Sequence, residues 1–194
     1  MVKFRGSQGF LYNPVSGLCT PLLWLEGAQS PNALPVHAEE GDLYLVTRWC
    51  SGDGFQLVEI STGELACVRH ITHFASYQTA AQACSSMNSY LVSVKTSAKL
   101  DVIRRLASSS NAWVGIDSLG GSLTWVKDGQ GLTEEEKNAV FFPGEPNNAF
   151  GDERCVEYSK DFQMLNDIKC ENSCTFICEK SLPRLLGKHD SDKD

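Results

Sequence analysis

Phe141–Cys155 reads FFPGEPNNAFGDERC, and the fold turns on whether its Glu145-Pro146-Asn147 is an ordinary polar turn or part of a built site. Glu, Pro, Asn and Gly are what any exposed loop uses: Pro presets φ, while Asn and Gly tolerate left-handed conformations. The tripeptide alone decides nothing. It sits at the end of a polar, Gly-rich segment from Gly129 to Phe150 that has almost no helical or strand periodicity. A loop of that length inside a compact domain is usually functional or disordered, so the sequence on either side carries the decision.

Upstream, AWVGI (112–116) and LTWV (123–126) read as strands separated by Gly120-Gly121. Before them, SYQTAAQACSSMN (76–88) predicts a helix capped by Ser76, with Tyr77, Ala80, Ala81 and Cys84 on one face. YLVSV (90–94) is a short β-rich run, and SAKLDVIRRLASS (97–109) predicts a second helix with Leu100, Ile103 and Leu106 on one stripe. GFQLVEISTGELACVRH (54–70) predicts a hairpin turning at Ser61–Glu64, and residues 9–24 predict another. Residues 26–42, with two prolines, small residues and acids, read as a linker. Downstream, CVEY, MLNDIKC and TFICEK supply short closing strands, and residues 181–194 read as a solvated tail. Strands, two helices, strands, a long irregular loop and further strands make an α+β pattern.

The chain has 194 residues, a formal net charge of -7 and no block of Lys and Arg. That excludes a general nucleic-acid or polybasic membrane surface. Its apolar runs are far too short to cross a bilayer. Eight cysteines fit a secreted, disulfide-stapled protein. The N-terminal MVKFRGS lacks the apolar core of a signal peptide, so a mature form or a fragment is expected. Cys170, Cys174 and Cys178, like Cys67, His70 and His73, lack the paired C-x2-C knuckles of common structural zinc sites. No nucleophile–base pair, phosphate loop or catalytic zinc motif is present, so an enzyme is not expected.

Five features occur in one order: Cys84 late in the first helix followed by YLVSV, WVGI at Trp113–Ile116, GEPNN before Glu153-Arg154-Cys155, LND before Cys170, and FICEK closing at Cys178. In these the chain resembles the C-type lectin-like domain family over about Trp49 to Lys180. The resemblance implies an α+β lectin-like fold with two helices, small antiparallel sheets and a long calcium-binding loop. Residues 1–48 would be a hairpin-rich N-terminal extension, 49–180 the domain and 181–194 a flexible tail. It also implies bridges Cys84–Cys178 and Cys155–Cys170. Cys19, Cys50, Cys67 and Cys174 remain: Cys50–Cys67 fits the family's long form and would leave Cys19 for Cys174, and Cys19–Cys50 with Cys67–Cys174 is the alternative.

The resemblance further nominates Glu145, Asn147, Glu153, Asn166 and Asp167 as ligands of Ca2+. Three carboxylates and two amide oxygens suit a cation that takes about six to eight oxygens. If the Glu145–Pro146 bond is cis, as in the family, both flanking side chains can point at one ion. Glu145, Asn147, Glu153 and Asn166 would also hydrogen-bond two adjacent sugar hydroxyls, with carboxylates accepting and amides donating. In the family Glu-Pro-Asn accompanies mannose-, glucose-, N-acetylglucosamine- or fucose-type sugars, and Gln-Pro-Asp accompanies galactose.

Two departures bear on this. Leu165 stands where the family usually has Trp, which removes packing but no ligand. Asn148 and Arg154 stand where some members place acids for a second calcium, and a guanidinium cannot ligate a cation, so that auxiliary site is not expected. Phe150 lies in the ligand-bearing loop, to pack on a sugar face or on the domain. The expected partners are glycans or glycoproteins, in an extracellular setting, with copies joined through the N-terminal region or an unpaired cysteine. The rival expectation is a lectin-like domain that binds a protein, with calcium structural or absent.

Overall fold

In the computed structural model, which describes residues 9–12, 19–22, 50, 52–61 and 64–182, ten strands and three helices follow in order. They are β1 Gly9–Tyr12, β2 Cys19–Leu22, β3 Gln56–Ser61, β4 Glu64–Ala75, α1 Tyr77–Ser86, β5 Tyr90–Leu91, α2 Ser97–Leu106, β6 Ala112–Asp117, β7 Thr124–Trp125, α3 Glu134–Val140, β8 Cys155–Ser159, β9 Met164–Ile168 and β10 Cys174–Lys180. β1 and β2 pair as the expected hairpin, Tyr12 opposite Cys19. Gly52–Ser181 forms a separate compact unit, which carries the candidate site. The tail beyond Leu182 and the 26–42 linker lie outside the described residues.

The unit's sheet runs β3-β4-β10-β6-β8-β9, with β5 also on β10 and β7 on β6. It is mixed rather than a set of small antiparallel sheets, because β6 and β10 run parallel at Ala112–Thr175 and Trp113–Phe176. The WVGI run explains why β6 is central. Ala112 to Ile116 are all buried, and the Trp113 indole N–H donates to the Ala75 carbonyl at 2.8 Å. Its ring meets Tyr77 edge-on at 5.4 Å. Gly115 has no alternative: a Cβ there would collide with the Leu91 carbonyl backbone.

The helices form where their sequences predict, although Ala81 and Leu106 are only partly buried and Val102 is buried beside Leu100 and Ile103. Ser76 accepts from the Thr79 amide, and α1 buries Tyr77, Ala80 and Cys84; α2 is capped by Thr96 and buries Leu100, Val102 and Ile103. The hairpin turn brings Ser61 opposite Glu64. A third helix, α3, occupies the segment that lacks periodicity. Its capping box pairs the Thr133 hydroxyl with the Glu136 amide and the Glu136 carboxylate with the Thr133 amide. The same carboxylate accepts from the Trp125 indole at 3.2 Å, which fastens the start of the long loop to the core.

Cys84 is bridged to Cys178 and Cys155 to Cys170. Cys50 and Cys67 are each disulfide-bonded. Cys174 is free and buried, which corrects both pairings expected of it, with Cys19 and with Cys67. Its thiol instead donates to Glu157 Oε2 at 3.2 Å, and Asn111 Nδ2 donates to both oxygens of the same carboxylate. Burial raises the Glu157 pKa, opposed by the hydrogen bonds from Cys174 and Asn111. Burial, together with the Glu157 charge, holds the Cys174 thiol far above its usual range. The thiol serves as a hydrogen-bond donor in a buried polar network.

Candidate metal centre

The chain reaches the site through a short series of backbone contacts. After α3, Phe141 bridges to Leu165 in parallel and the Phe142 amide donates to the Leu165 carbonyl at 3.0 Å. Leu165, in place of an aromatic residue, is fully buried. A turn then follows in which the Glu145 amide donates to the Phe142 carbonyl at 2.9 Å, with Gly144 at φ +95°. Leu165 thus pins the loop's beginning one residue away from Asn166-Asp167 on β9.

The Glu145–Pro146 bond is cis, and the side chains on either side of Pro146 meet: Asn147 Nδ2 donates to Glu145 Oε1 at 2.8 Å. Asp167, only 3% exposed, closes the loop from β9. Its Oδ1 accepts from the Asn147 amide at 3.0 Å and its Oδ2 from the Asn148 amide at 2.8 Å. Hydrogen bonds to a charged acceptor contribute about 1.5–3 kcal/mol each, so Asp167 holds the Pro146–Asn148 backbone firmly.

Glu145 is held in an unsatisfied position. Its Oε2 is buried without a hydrogen-bond partner. Its pKa is pushed up to about 7, first by burial, then by the hydrogen-bond contact and charge of Asp167, with Glu153 adding repulsion and the Asn147 backbone opposing the rise. Among the described residues no Lys or Arg ion-pairs with Glu145, Glu153 or Asp167. The neighbouring Arg154 guanidinium points to Asp152 at 3.8 Å, with both side chains exposed.

Glu153 is therefore near enough to act on Glu145 by its charge, and its amide is tied to Asn148 Oδ1 at 2.9 Å. Asn166 follows a different course. It lies opposite Glu157 in the β8–β9 register and makes none of the side-chain hydrogen bonds of the cluster. Phe150, at 78% exposure, does not pack on the domain. Among the described residues no three His, Cys, Asp or Glu side chains form a ready-made metal group. Two carboxylates in contact, a third acting by its field and an amide between them make up the cluster.

Calcium fits this donor set. Glu145 has a buried oxygen without a hydrogen-bond partner, Asp167 beside it raises its pKa, no positive side chain among the described residues ion-pairs with it, and all the donors are hard oxygens. Sequence reasoning read Asn148 only as a missing acid of a second site and did not see its bonds to Asp167 and Glu153. Its φ of +48° is a conformation that Asn adopts more readily than most residues, and an Asn ahead of Ala-Phe-Gly was the available signal.

The family model for the lectin C-type domain matches residues 74–180. The chain belongs to the C-type lectin domain family. This lectin domain is 28% identical over 153 residues to E-selectin of Bos taurus, covering 75% of the chain but 31% of that protein. It is 31% identical over 121 residues to perlucin of Haliotis laevigata, covering 59% of the chain and 76% of perlucin. The chain thus spans less than a third of the bovine E-selectin it matches. In fold it superimposes on the cow CD23 carbohydrate-recognition domain, solved in the presence of a GlcNAc2Man3 oligosaccharide. The TM-score is 0.57 at 22% identity, over 70% of this chain and 98% of that one. That likeness establishes the C-type lectin fold for this domain.

Proposed function

We propose that the domain binds carbohydrate through a calcium ion held by Glu145, Asn147, Glu153, Asn166 and Asp167. The observation that carries the proposal is the Glu145 carboxylate, pressed against Asp167 with one buried oxygen unpartnered. Isolated buried charge is costly, and an oxygen-seeking divalent cation is the partner that removes the cost. Calcium, when bound, supplies coordination positions that two adjacent sugar hydroxyls fill in place of water. Glu145 and Glu153 accept hydrogen bonds from those hydroxyls, while the Asn147 and Asn166 amides donate to them. Asp167 fixes the loop backbone that carries Glu145 and Asn147.

The order Glu-Pro-Asn, which in the family accompanies mannose-, glucose-, N-acetylglucosamine- or fucose-type sugars, favours that class here over galactose-type sugars. The CD23 domain, solved in the presence of an oligosaccharide, has the same fold, and the residues at this chain's own site support the same kind of ligand. Two disulfides within the described unit suit an oxidising, extracellular setting. The natural partners would then be glycans or glycoproteins. A single shallow site of this kind binds weakly, so avidity from several copies is expected.

The paired substitution Glu145→Gln with Asn147→Asp tests the assignment by exchanging acceptor and donor across Pro146. A glycan array should move from mannose-type to galactose-type ligands. Loss of all binding without a shift, or no change, contradicts the proposed readout.

A further inference from the structure

Beyond the five nominated ligands, one side chain joins the parts of the cluster that the chain itself does not. The segment Asn148–Glu153 leaves the site and returns to it, with Phe150 exposed at its apex. Asn148 closes its neck three times. Its amide donates to Asp167 Oδ2 at 2.8 Å, its carbonyl accepts from the Gly151 amide at 2.9 Å, and its side-chain Oδ1 accepts from the Glu153 amide at 2.9 Å. The following carbonyl, of Arg154, accepts from the Ser118 amide at 2.9 Å. Glu153 is thus held on one side by the end of β6 and on the other by a single side-chain oxygen.

We infer that Asn148 is a positioning residue: its amide oxygen latches the return of the loop and so sets Glu153 beside Glu145 and Asp167 before any ion arrives. The inference rests on the calcium reading above. Its physical basis is preorganisation. A third carboxylate on a free loop must be ordered when the ion binds, and the latch removes that cost in advance. The backbone bonds to Asp167 and Gly151 do not depend on the side chain, so they survive its removal. The Oδ1 bond does not.

Two variants separate the latch from the turn. Asn148→Gly keeps the left-handed backbone without strain and removes only the side chain; Asn148→Asp keeps an acceptor oxygen. The first measurement is hydrogen exchange at the Glu153 amide by NMR in EDTA, which needs no ion. Asn148→Gly should lose the protection that wild type and Asn148→Asp retain. The second is calcium titration by calorimetry, where Asn148→Gly should bind about two- to tenfold more weakly, the range for one hydrogen bond, and Asn148→Asp should bind at least as tightly as wild type. Unchanged exchange in Asn148→Gly overturns the latch. Faster exchange with unchanged calcium affinity, or an Asn148→Asp affinity as poor as that of Asn148→Gly, overturns the positioning role. Wild type that takes up no calcium overturns the functional reading itself, a result seen before any variant is made.

Discussion

Glu145→Gln should make the ion-free domain more stable and the calcium-loaded domain less stable, and this reversal follows from the geometry of one carboxylate. In wild type Glu145 Oε2 is buried without a hydrogen-bond partner, and the Asp167 carboxylate beside Glu145 raises its pKa. Glutamine removes the charge and offers an N–H donor in its place. Relieving an unsatisfied charged acceptor is worth about 1–3 kcal/mol when fully buried. Glu145 is only partly buried, and solvent screening brings the gain to about 1 kcal/mol. That corresponds to a rise of about 3–5 °C in Tm in EDTA. The gain also depends on pH. A carboxylate whose folded pKa is raised from 4.5 to about 7 costs nothing while it is protonated in both states, and its penalty grows as pH rises between those values. The advantage of the variant should therefore be full at pH 8 and vanish below about pH 4.5. Calcium acts in the opposite direction: at a hundredfold excess over Kd it stabilises wild type by about 2.7 kcal/mol, most of which the variant forfeits. Calorimetric melting of both proteins at pH 8, in EDTA and in calcium, reads the order directly. A variant less stable than wild type in EDTA, or one that gains as much from calcium, refutes the reasoning.

Three further outcomes follow from the same geometry. Phe150→Ala removes a ring that is 78% exposed, so Tm should stay within about 1 °C; a fall in sugar affinity without a change in calcium affinity would place the ring against the ligand, and a large fall in Tm would contradict its exposure. Cys174 should resist thiol reagents in the native protein, since burial and Glu157 suppress its thiolate, and rapid labelling without unfolding would contradict the buried network. Calcium titration should give one ion per chain, because Asn148 Oδ1 is occupied by the Glu153 amide and Arg154 is a cation; two ions would contradict this account of the loop.

How much of this was legible in the sequence depended on whether a residue's role was local. The Ser76 cap, the Ser61–Glu64 turn and the buried faces of α1 and α2 were readable because each rests on neighbours three or four positions away. The two bridges and the cis Glu145–Pro146 bond were readable through the family resemblance. α3 was not read, because seven residues give too few repeats for a periodic signal; the Thr133–Glu136 spacing of its capping box was the available signal, whereas the bond from Trp125 to Glu136 leaves no local trace. Cys174 was assigned a bridge because counting cysteines cannot see that its thiol meets the Glu157 carboxylate, itself held by Asn111, across the sheet. The parallel β6–β10 pairing joins strands distant in sequence and leaves no local trace. At the site, the contact of Glu145, Asn147 and Asp167 is present, while Asn166 lies in register with Glu157 and outside that contact.

The central claim is that sugar is held through a cation at the Glu145–Asp167 cluster, and the most direct measurement is retention on immobilised mannose. The protein should bind in calcium, elute completely with EDTA and bind again when calcium is restored, with galactose competing far less well than mannose. Retention that persists unchanged in EDTA, or failure to bind any sugar in calcium, would contradict it.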